Sequence, residues 1–319
     1  MAKQLMNRKA PLKMNLQTFA AGENNDLDVR SYQPQYMELL RAVFQSRAYF
    51  RDFFVGGTIE ALDGVQHNET AFYVKTSDIP VVVGDGYNKD PDVAFGPGTG
   101  NSTRFGPRTE IIYQDTPVPY TWEWNFHEGI DRHTVNNNFD AAIADRLDLQ
   151  ANARISKFNQ QHSAFISGIA GETKELSDYG ADAVLELFNE LNKYYINIEA
   201  FGTKVAKVNA DLYNAIVDHP LTTNAKRSGA NVDNNDIFKF KDFIIEEIPD
   251  AMLQEGEVAY TYITNIAKAF TGINTARTIP SEDFDGVALQ GAGKAGEFII
   301  EDNKKAVAKV TLVEVIPEA

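Results

Sequence analysis

The sequence predicts an α+β protein, and three observations carry that prediction. Residues 138–169 sustain one uninterrupted helical pattern. Residues 84–107 hold six of the 22 glycines (Gly84, Gly86, Gly96, Gly98, Gly100 and Gly106) and three prolines (Pro91, Pro97 and Pro107), too many to build a core of their own. Elsewhere helical and strand patterns are mixed without regular alternation, which separates the chain from a doubly wound α/β sheet.

Taken in order, the first 22 residues carry Lys3, Arg8, Lys9 and Lys13 and no acid. Such a basic arm is either a solvated extension or a partner-binding or processed one. Over residues 34–54, Met37, Leu40, Phe44 and Ala48 fall at helical spacing, with Leu39, Val43 and Phe50 widening the stripe. Pro34 suits a first helical turn, and Gly56 and Gly57 end the pattern.

Residues 69–75 and 110–115 read as strands. The glycine-rich stretch between them is then a long two-stranded excursion with an irregular tip. Arms of about 20 residues reach ~60 Å at roughly 3.3 Å per residue. A lone hairpin is marginal in water, so this one makes physical sense lying on a neighbouring subunit.

Residues 119–130 alternate, with Tyr120, Trp122, Trp124 and Phe126 on one face and Thr121, Glu123, Asn125 and His127 on the other: a half-buried strand. Asn136, Asn137 and Asn138 offer helix caps. In the long helix that follows, Phe139, Ile143, Leu147, Ala151, Ile155, Phe158, His162 and Phe165 form the apolar stripe, and its 32 residues span ~48 Å. Globular helices average about 11–12 residues, so this one is a spine.

Past Gly171 the elements shorten. Residues 179–195 read as a helix with Val184, Leu187, Phe188 and Leu191 inward, and 204–208 as a strand. Asn209 caps a helix over 210–217 that stops near Pro220. Residues 237–248 read as one strand ending at Pro249, and 257–263 as another. Residues 297–301 and 306–315 read as a hairpin, with Asp302 and Asn303 at its turn.

Composition removes several functions. The chain has 319 residues, room for about two domains, and 43% hydrophobic residues, enough for a sizeable core. A net charge of −15 disfavours a protein whose task is gripping nucleic-acid phosphates. With no cysteine there is no disulfide, cysteine zinc site, iron–sulfur cluster or thiol nucleophile. No apolar run approaches the ~18 residues of a membrane span, and residues 1–20 lack the apolar region of a secretory signal.

The chemical motifs fall short. Gly96, Gly98 and Gly100 resemble half a dinucleotide fingerprint, but a strand follows them where a helix is needed. Gly291-Ala292-Gly293-Lys294 resembles a phosphate loop, but Ala295 stands where Ser or Thr would hold magnesium. His127 and His133 are six apart, not four, so a helical zinc site is not formed with Glu128. His162, alone on an apolar face, reads as a core or interface residue. There is no Gly-x-Ser-x-Gly elbow, and no carboxylate pair stands out from a solvated acidic surface. No catalytic, cofactor-binding or metal residue is expected, and the protein is not expected to be an enzyme.

The order of elements resembles the major capsid proteins of tailed bacteriophages, which have the Hong Kong 97-type fold. There an arm leads to an extended loop, a peripheral domain with a spine helix, and an axial domain. The resemblance places an arm at 1–33, the peripheral domain at 34–65, 117–177 and 265–319, the extended loop at 66–116 and the axial domain at 178–264. The run Asn209-Ala-Asp-Leu-Tyr-Asn-Ala-Ile-Val resembles the segment after the family's first axial strand. Residues 12–20, Leu-Lys-Met-Asn-Leu-Gln-Thr-Phe-Ala, are similar to a leader of capsid proteins from phages of Gram-positive hosts, with Met14 where Leu is usual. In that leader a host cysteine protease cuts between the residues matching Phe19 and Ala20.

What the resemblance implies is a shell subunit of a siphophage infecting Gram-positive bacteria. It would form hexamers and pentamers around double-stranded DNA held without sequence specificity, in the virion after assembly in the host cytoplasm. The partners implied are further copies of the chain, a portal protein and a separate scaffolding protein, because only about 33 residues precede the first helical pattern where the family's scaffolding extension would stand. Lys75 and Lys89 lie in the loop, but the Lys–Asn crosslink of some members is not assigned to them. The alternatives are an encapsulin-type bacterial nanocompartment shell with an enzyme cargo, against which the leader argues, and an unrelated carboxylate-dependent enzyme.

Overall fold

The computed structural model describes residues 47–62, 69–77, 109–135, 139–223 and 239–313, with single positions at 79, 81, 83, 84, 86, 87, 89 and 105. The basic arm, residues 34–46 of the first helical pattern, most of the glycine-rich tip and the Asn136 to Asn138 caps lie outside the described residues.

Twelve strands and four helices are described. In chain order they are β1 (Glu60–Ala61), β2 (Thr70–Thr76), β3 (Gln114–Pro119), β4 (Trp122–Asp131), α1 (Phe139–Ile169), β5 (Glu172–Leu176), α2 (Ala181–Asn197), β6 (Lys204–Val208), α3 (Ala210–Val217), α4 (Pro220–Thr223), β7 (Lys239–Phe240), β8 (Phe243–Glu247), β9 (Glu257–Ile263), β10 (Ala267–Pro280), β11 (Gly286–Ile299) and β12 (Val307–Leu312). They form a four-stranded sheet ordered β1-β10-β11-β4, a six-stranded sheet ordered β5-β12-β9-β6-β8-β7, and the β2-β3 ribbon. The class is α+β, as expected.

The six-stranded sheet separates two cores. Val184, Leu187, Phe188, Leu191 and Tyr195 of α2 recur at three- and four-residue spacing. With Leu212 and Ile216 of α3 they cover one face, made by Ala206, Val208, Phe243, Ile245 and Val310. The other face presents Val205, Tyr260, Tyr262 and Val307 to Ile166 of α1 and to Phe50, Phe53 and Phe54. The alternation along β6 and β9 thus feeds both layers. A third small cluster, Ala71, Val118 and Phe270, roots the ribbon on β10.

Several elements fall where the sequence puts them: α1, β6, the Asn209-capped α3 and β9. Asn209 Oδ1 accepts the Leu212 N–H at 2.9 Å, the expected cap. Four expectations are corrected. The helix expected to run to Phe54 gives way to 3-10 turns at Arg51–Phe53 and Val55–Gly57. The reason is that Phe50, Phe53 and Phe54 are all buried in one core, and Phe54 is extended to bridge Ala267. The strand expected over 110–115 starts at Gln114 and runs through Pro117 to Pro119; prolines are tolerated because the strand pairs on one side only, with β2.

The single strand expected over 237–248 is the hairpin β7-β8, turned at Lys241 (φ 47°) and Asp242 (φ 77°), with Phe240 opposite Phe243. Asp is among the residues that adopt that left-handed geometry. The C-terminal hairpin does not form. After β11 a 3-10 turn, Glu301–Ala306, carries the chain into the other sheet, where β12 lies between β5 and β9. Val307, Ala308 and Val310 are fully buried, so this strand needs cover on both faces and neighbours on both edges.

The long β10-β11 hairpin escapes the sequence reading because glycine breaks its pattern. The structure explains the glycines. Gly291 is paired with Phe126 and Gly293 with Trp124 on β4, and a Cβ at either glycine would overlap its partner's ring. The two rings stack at 6.1 Å over the space the glycines leave. Gly293→Ala therefore lowers stability by about 1–3 kcal/mol through overpacking. In the Trp124→Ala background most of that loss disappears, a coupling of roughly 0.5–3 kcal/mol in a denaturation double-mutant cycle. Additive losses would contradict the packing.

Candidate interaction surfaces

The rejected chemical motifs are dispersed by the fold. Gly291 to Lys294 lie within β11, not before a helix. His127 points outward toward Gln290, Glu128 inward to Arg146, and His133 is exposed near Asp285, so the three do not converge. Lys75 pairs with Asp115 across the ribbon at 3.7 Å, and Lys89 is exposed. Among the described residues no cluster of three metal-ligating side chains forms. Phe19 and Ala20, the expected cleavage pair, lie outside the described residues.

The buried polar groups instead tie layers together. His162 Nδ1 of α1 is 2.9 Å from Glu297 Oε1 of β11, and the Trp122 indole N–H donates to the same oxygen at 3.0 Å. His162 is 6% exposed, a satisfied core residue. One turn on, Ser167 donates to Glu257 Oε1 at 2.6 Å, and Lys309 Nζ lies 3.0 Å from that oxygen. Lys207, 1% exposed, pairs with Glu246 at 2.5 Å and Asp52 at 3.1 Å, and Tyr262 donates to the same Asp52 oxygen at 3.0 Å. Burial raises the Tyr262 phenol well above its usual range, and Asp52 adds to it, so the hydroxyl stays a donor. Sequence reasoning missed these knots because their members lie far apart in the chain.

The outward surface is apolar in an unusual place. On the ribbon and beyond it, Val81, Val83 and Phe105 are 89%, 88% and 86% exposed, and Tyr73, Ile111, Ile112 and Tyr113 are also exposed. Tyr87 and Phe105 meet edge to face at 5.2 Å, so the two sides of the excursion approach each other well past the paired strands. A hairpin with this much open apolar surface fits a protein partner. Phe201, 91% exposed, projects from the loop between Glu199 (φ 54°) and Gly202 (φ 153°). An isolated Phe beside Gly in a polar loop was the signal available for it.

At the level of sequence, no family model and no curated protein matches this chain. Solved structures do. The capsid of the cyanophage P-SCSP1u is similar at TM-score 0.63 and 10% identity, covering 85% of this chain and 89% of that one. The mature capsid of bacteriophage PhiM1 gives 0.61 and 9%, with the same coverage. Mycobacterium phage Che8 gives 0.51 and 15%, covering 75% and 83%. At such identities the likeness establishes the fold, which is the Hong Kong 97-type.

One knot makes stability depend on pH. Burial alone would raise the Glu257 carboxyl, but hydrogen bonds from Ser167, Tyr260 and Lys309 outweigh it and hold it below the usual carboxylate range. Its unfolded value is about 4.3. The stabilisation it gives is complete above that value and is lost as pH falls through the lower folded one. Glu257→Gln is expected to lower the melting temperature at neutral pH and by progressively less below pH ~4. An equal deficit at both ends would refute the assignment.

Proposed function

We propose that the chain is the major shell subunit of a tailed phage, a structural and not a catalytic protein. One observation carries this reading: the fold follows phage capsid chains over most of its length, while the excursion beyond the β2-β3 ribbon leaves Val81, Val83 and Phe105 almost fully open. An apolar excursion complementary to a different surface of a second copy makes head-to-tail contacts, which close into rings when the rotation from copy to copy is a whole fraction of a turn. Hexamers and pentamers are the rings proposed. In this reading the domains are the arm at 1–33, the extended loop at 66–116, the axial domain at 178–264, and a peripheral domain from 34–65, 117–177 and 265–319.

The charge supports a container. A wall that bound phosphates tightly through counterion release would hinder loading and release of DNA, and this chain carries −15. Portal and scaffolding proteins are the further partners proposed, with packaged DNA held without sequence specificity. The virion is the proposed location, with assembly in the host cytoplasm. Residues 12–20 support a siphophage of a Gram-positive host.

Negative-stain microscopy of the purified protein, alone and with its scaffold, is the direct test; closed shells are expected, and small discrete oligomers under both conditions would overturn the reading. A deletion separates fold from assembly. Removing residues 84–106 and joining the arms by a short turn is expected to leave both cores intact and the melting temperature nearly unchanged, while closed shells are lost. Normal shells from this variant would remove the loop from the assembly.

The arm supplies a second expectation. In mature particles the chain is expected to begin at Ala20, after cleavage of the Phe19–Ala20 bond. Removing residues 1–19 takes away Lys3, Arg8, Lys9 and Lys13 and no acid, which moves the formal charge from −15 to −19. Weaker attraction to an acidic scaffold would follow. Intact-mass analysis reads the start directly, and finding only Met1 or Ala2 in particles grown with the host protease present would falsify the processing.

A further inference from the structure

We propose that the open edge of β2 pairs antiparallel with the β2 edge of a second copy, joining two ribbons into one four-stranded sheet about a two-fold axis. The inference rests on the self-assembly proposed above and names one of its contacts. It is a contact of a different kind from the head-to-tail one, because the same edge is used by both copies.

The two edges of the ribbon differ. Alternate residues of a strand turn their backbone N–H and C=O to the same side. Pro117 lies opposite Tyr73 and has no N–H to give, so the ladder runs through the flanking pairs, Phe72 with Val118 and Val74 with Thr116. The nitrogens of Pro117 and Pro119 therefore face away from β2, and the outer edge of β3 lacks two successive donors. Proline placed this way closes a strand edge to further pairing.

By the same parity Tyr73 and Lys75 point their N–H and C=O away from β3. Among the described residues these groups have no backbone partner, and no strand other than β3 lies beside β2. Thr70–Thr76 holds no proline or glycine, and Lys75, the one charge able to guard the edge, is drawn across the ribbon to Asp115 at 3.7 Å. One edge is blocked and the other is open, which suits a ribbon that accepts a single further strand.

The residues on the open edge fit a second copy of themselves. Pairing about Val74 sets Tyr73 opposite Lys75 of the other copy, twice, in hydrogen-bonded pairs. Both side chains are exposed on one face, so each ammonium meets a tyrosine ring. Val74, β-branched, meets its own copy at the axis. Pairing about Lys75 would set ammonium against ammonium, so charge selects against that register. The contact closes at two copies, since the prolines stop any further strand, and it relieves the marginal stability of a two-stranded ribbon.

The chain has no cysteine, so a single introduced thiol reads the contact. Residues opposed at the axis in a non-hydrogen-bonded pair lie about 4.5 Å apart at Cα, within disulfide range. Full-length Val74→Cys, assembled and then oxidised, is expected to give disulfide-linked dimers by intact mass, whereas Gln114→Cys, exposed on β3, is expected to stay unlinked. Adding Tyr73→Pro to Val74→Cys removes an outward donor without touching the ladder or either large core. Two lost backbone hydrogen bonds are expected to cut the dimer yield by about tenfold. Equal yields with and without Tyr73→Pro, or equal linking through Gln114→Cys, would overturn the pairing. Closed shells without a Val74→Cys link would overturn this contact and leave the shell reading standing; linked dimers without shells would do the reverse. Should Val74→Cys fail to fold, hydrogen exchange of the unaltered chain decides. The Tyr73 and Lys75 amides are expected to slow by about tenfold or more on assembly, and unchanged exchange would overturn the proposal.

Discussion

The fold depends on nine residues of one helix. Between Asn159 and Ser167, α1 makes a side-chain hydrogen bond to each neighbouring layer. Asn159 holds the chain at Arg47 and Tyr49, His162 meets Glu297 of the four-stranded sheet, Ser163 reaches Tyr260 of the six-stranded sheet, and Ser167 reaches Glu257 beside it. Leaving any one partner buried and unsatisfied costs about 1–3 kcal/mol, more where the partner is charged. An apolar helix could slide or rotate against two sheets at small cost. A helix whose polar groups each have one destination cannot, so these contacts set register as well as stability.

That polar face explains what was and was not legible in the sequence. Asn, His and Ser are poor markers of a core, so periodicity located α1 from Phe139 to Ile169 without revealing which of its residues are buried deepest. The elements read with the right bounds, β6, α3 and β9, carry their own signals: dense apolar residues, a capping Asn, a terminating Pro. Those missed or misread are defined by distant partners. Glycines in β11 look like a loop until the rings of Trp124 and Phe126 fill the space above them. β12 looks like the second arm of a hairpin until β5 and β9 flank it. Of the candidate surfaces, the strand at the root of the ribbon, β2, is legible from its β-forming residues, whereas the projecting Phe201 is not, because one residue makes no pattern.

The same division runs through the energetics. The two large cores draw on the sheets, α2, α3 and the C-terminal half of α1, and the β2-β3 ribbon contributes to neither among the described residues; it packs Ala71, Phe72, Val74 and Val118 into the third, small cluster at its root. Its outer side chains bury little within their own chain. Selection for the stability of a lone subunit gives no reason to keep Val81, Val83 and Phe105 apolar, since polar residues there would cost the fold nothing and improve solubility. Packing within the single chain therefore does not account for their apolar character.

The front half of α1 poses the same question and receives a different answer. Its predicted stripe, Phe139, Ile143 and Leu147, is only partly covered, with Leu147 and Leu149 39% and 37% exposed. What holds that half is a charged pair: Arg146 grips both Glu128 oxygens, at 2.5 and 2.7 Å, and its hydrogen bond, against the opposing pull of burial, keeps the Glu128 carboxyl low. Arg132 adds a cation over the Phe139 ring at 5.0 Å. Partly exposed ion pairs contribute little to stability compared with packing, so the helix is clamped at its rear and loosely guided at its front. The packing of the spine is thus concentrated at its rear, where Asn159, His162, Ser163 and Ile166 are buried against the layers, while at its front only Ala142 is buried.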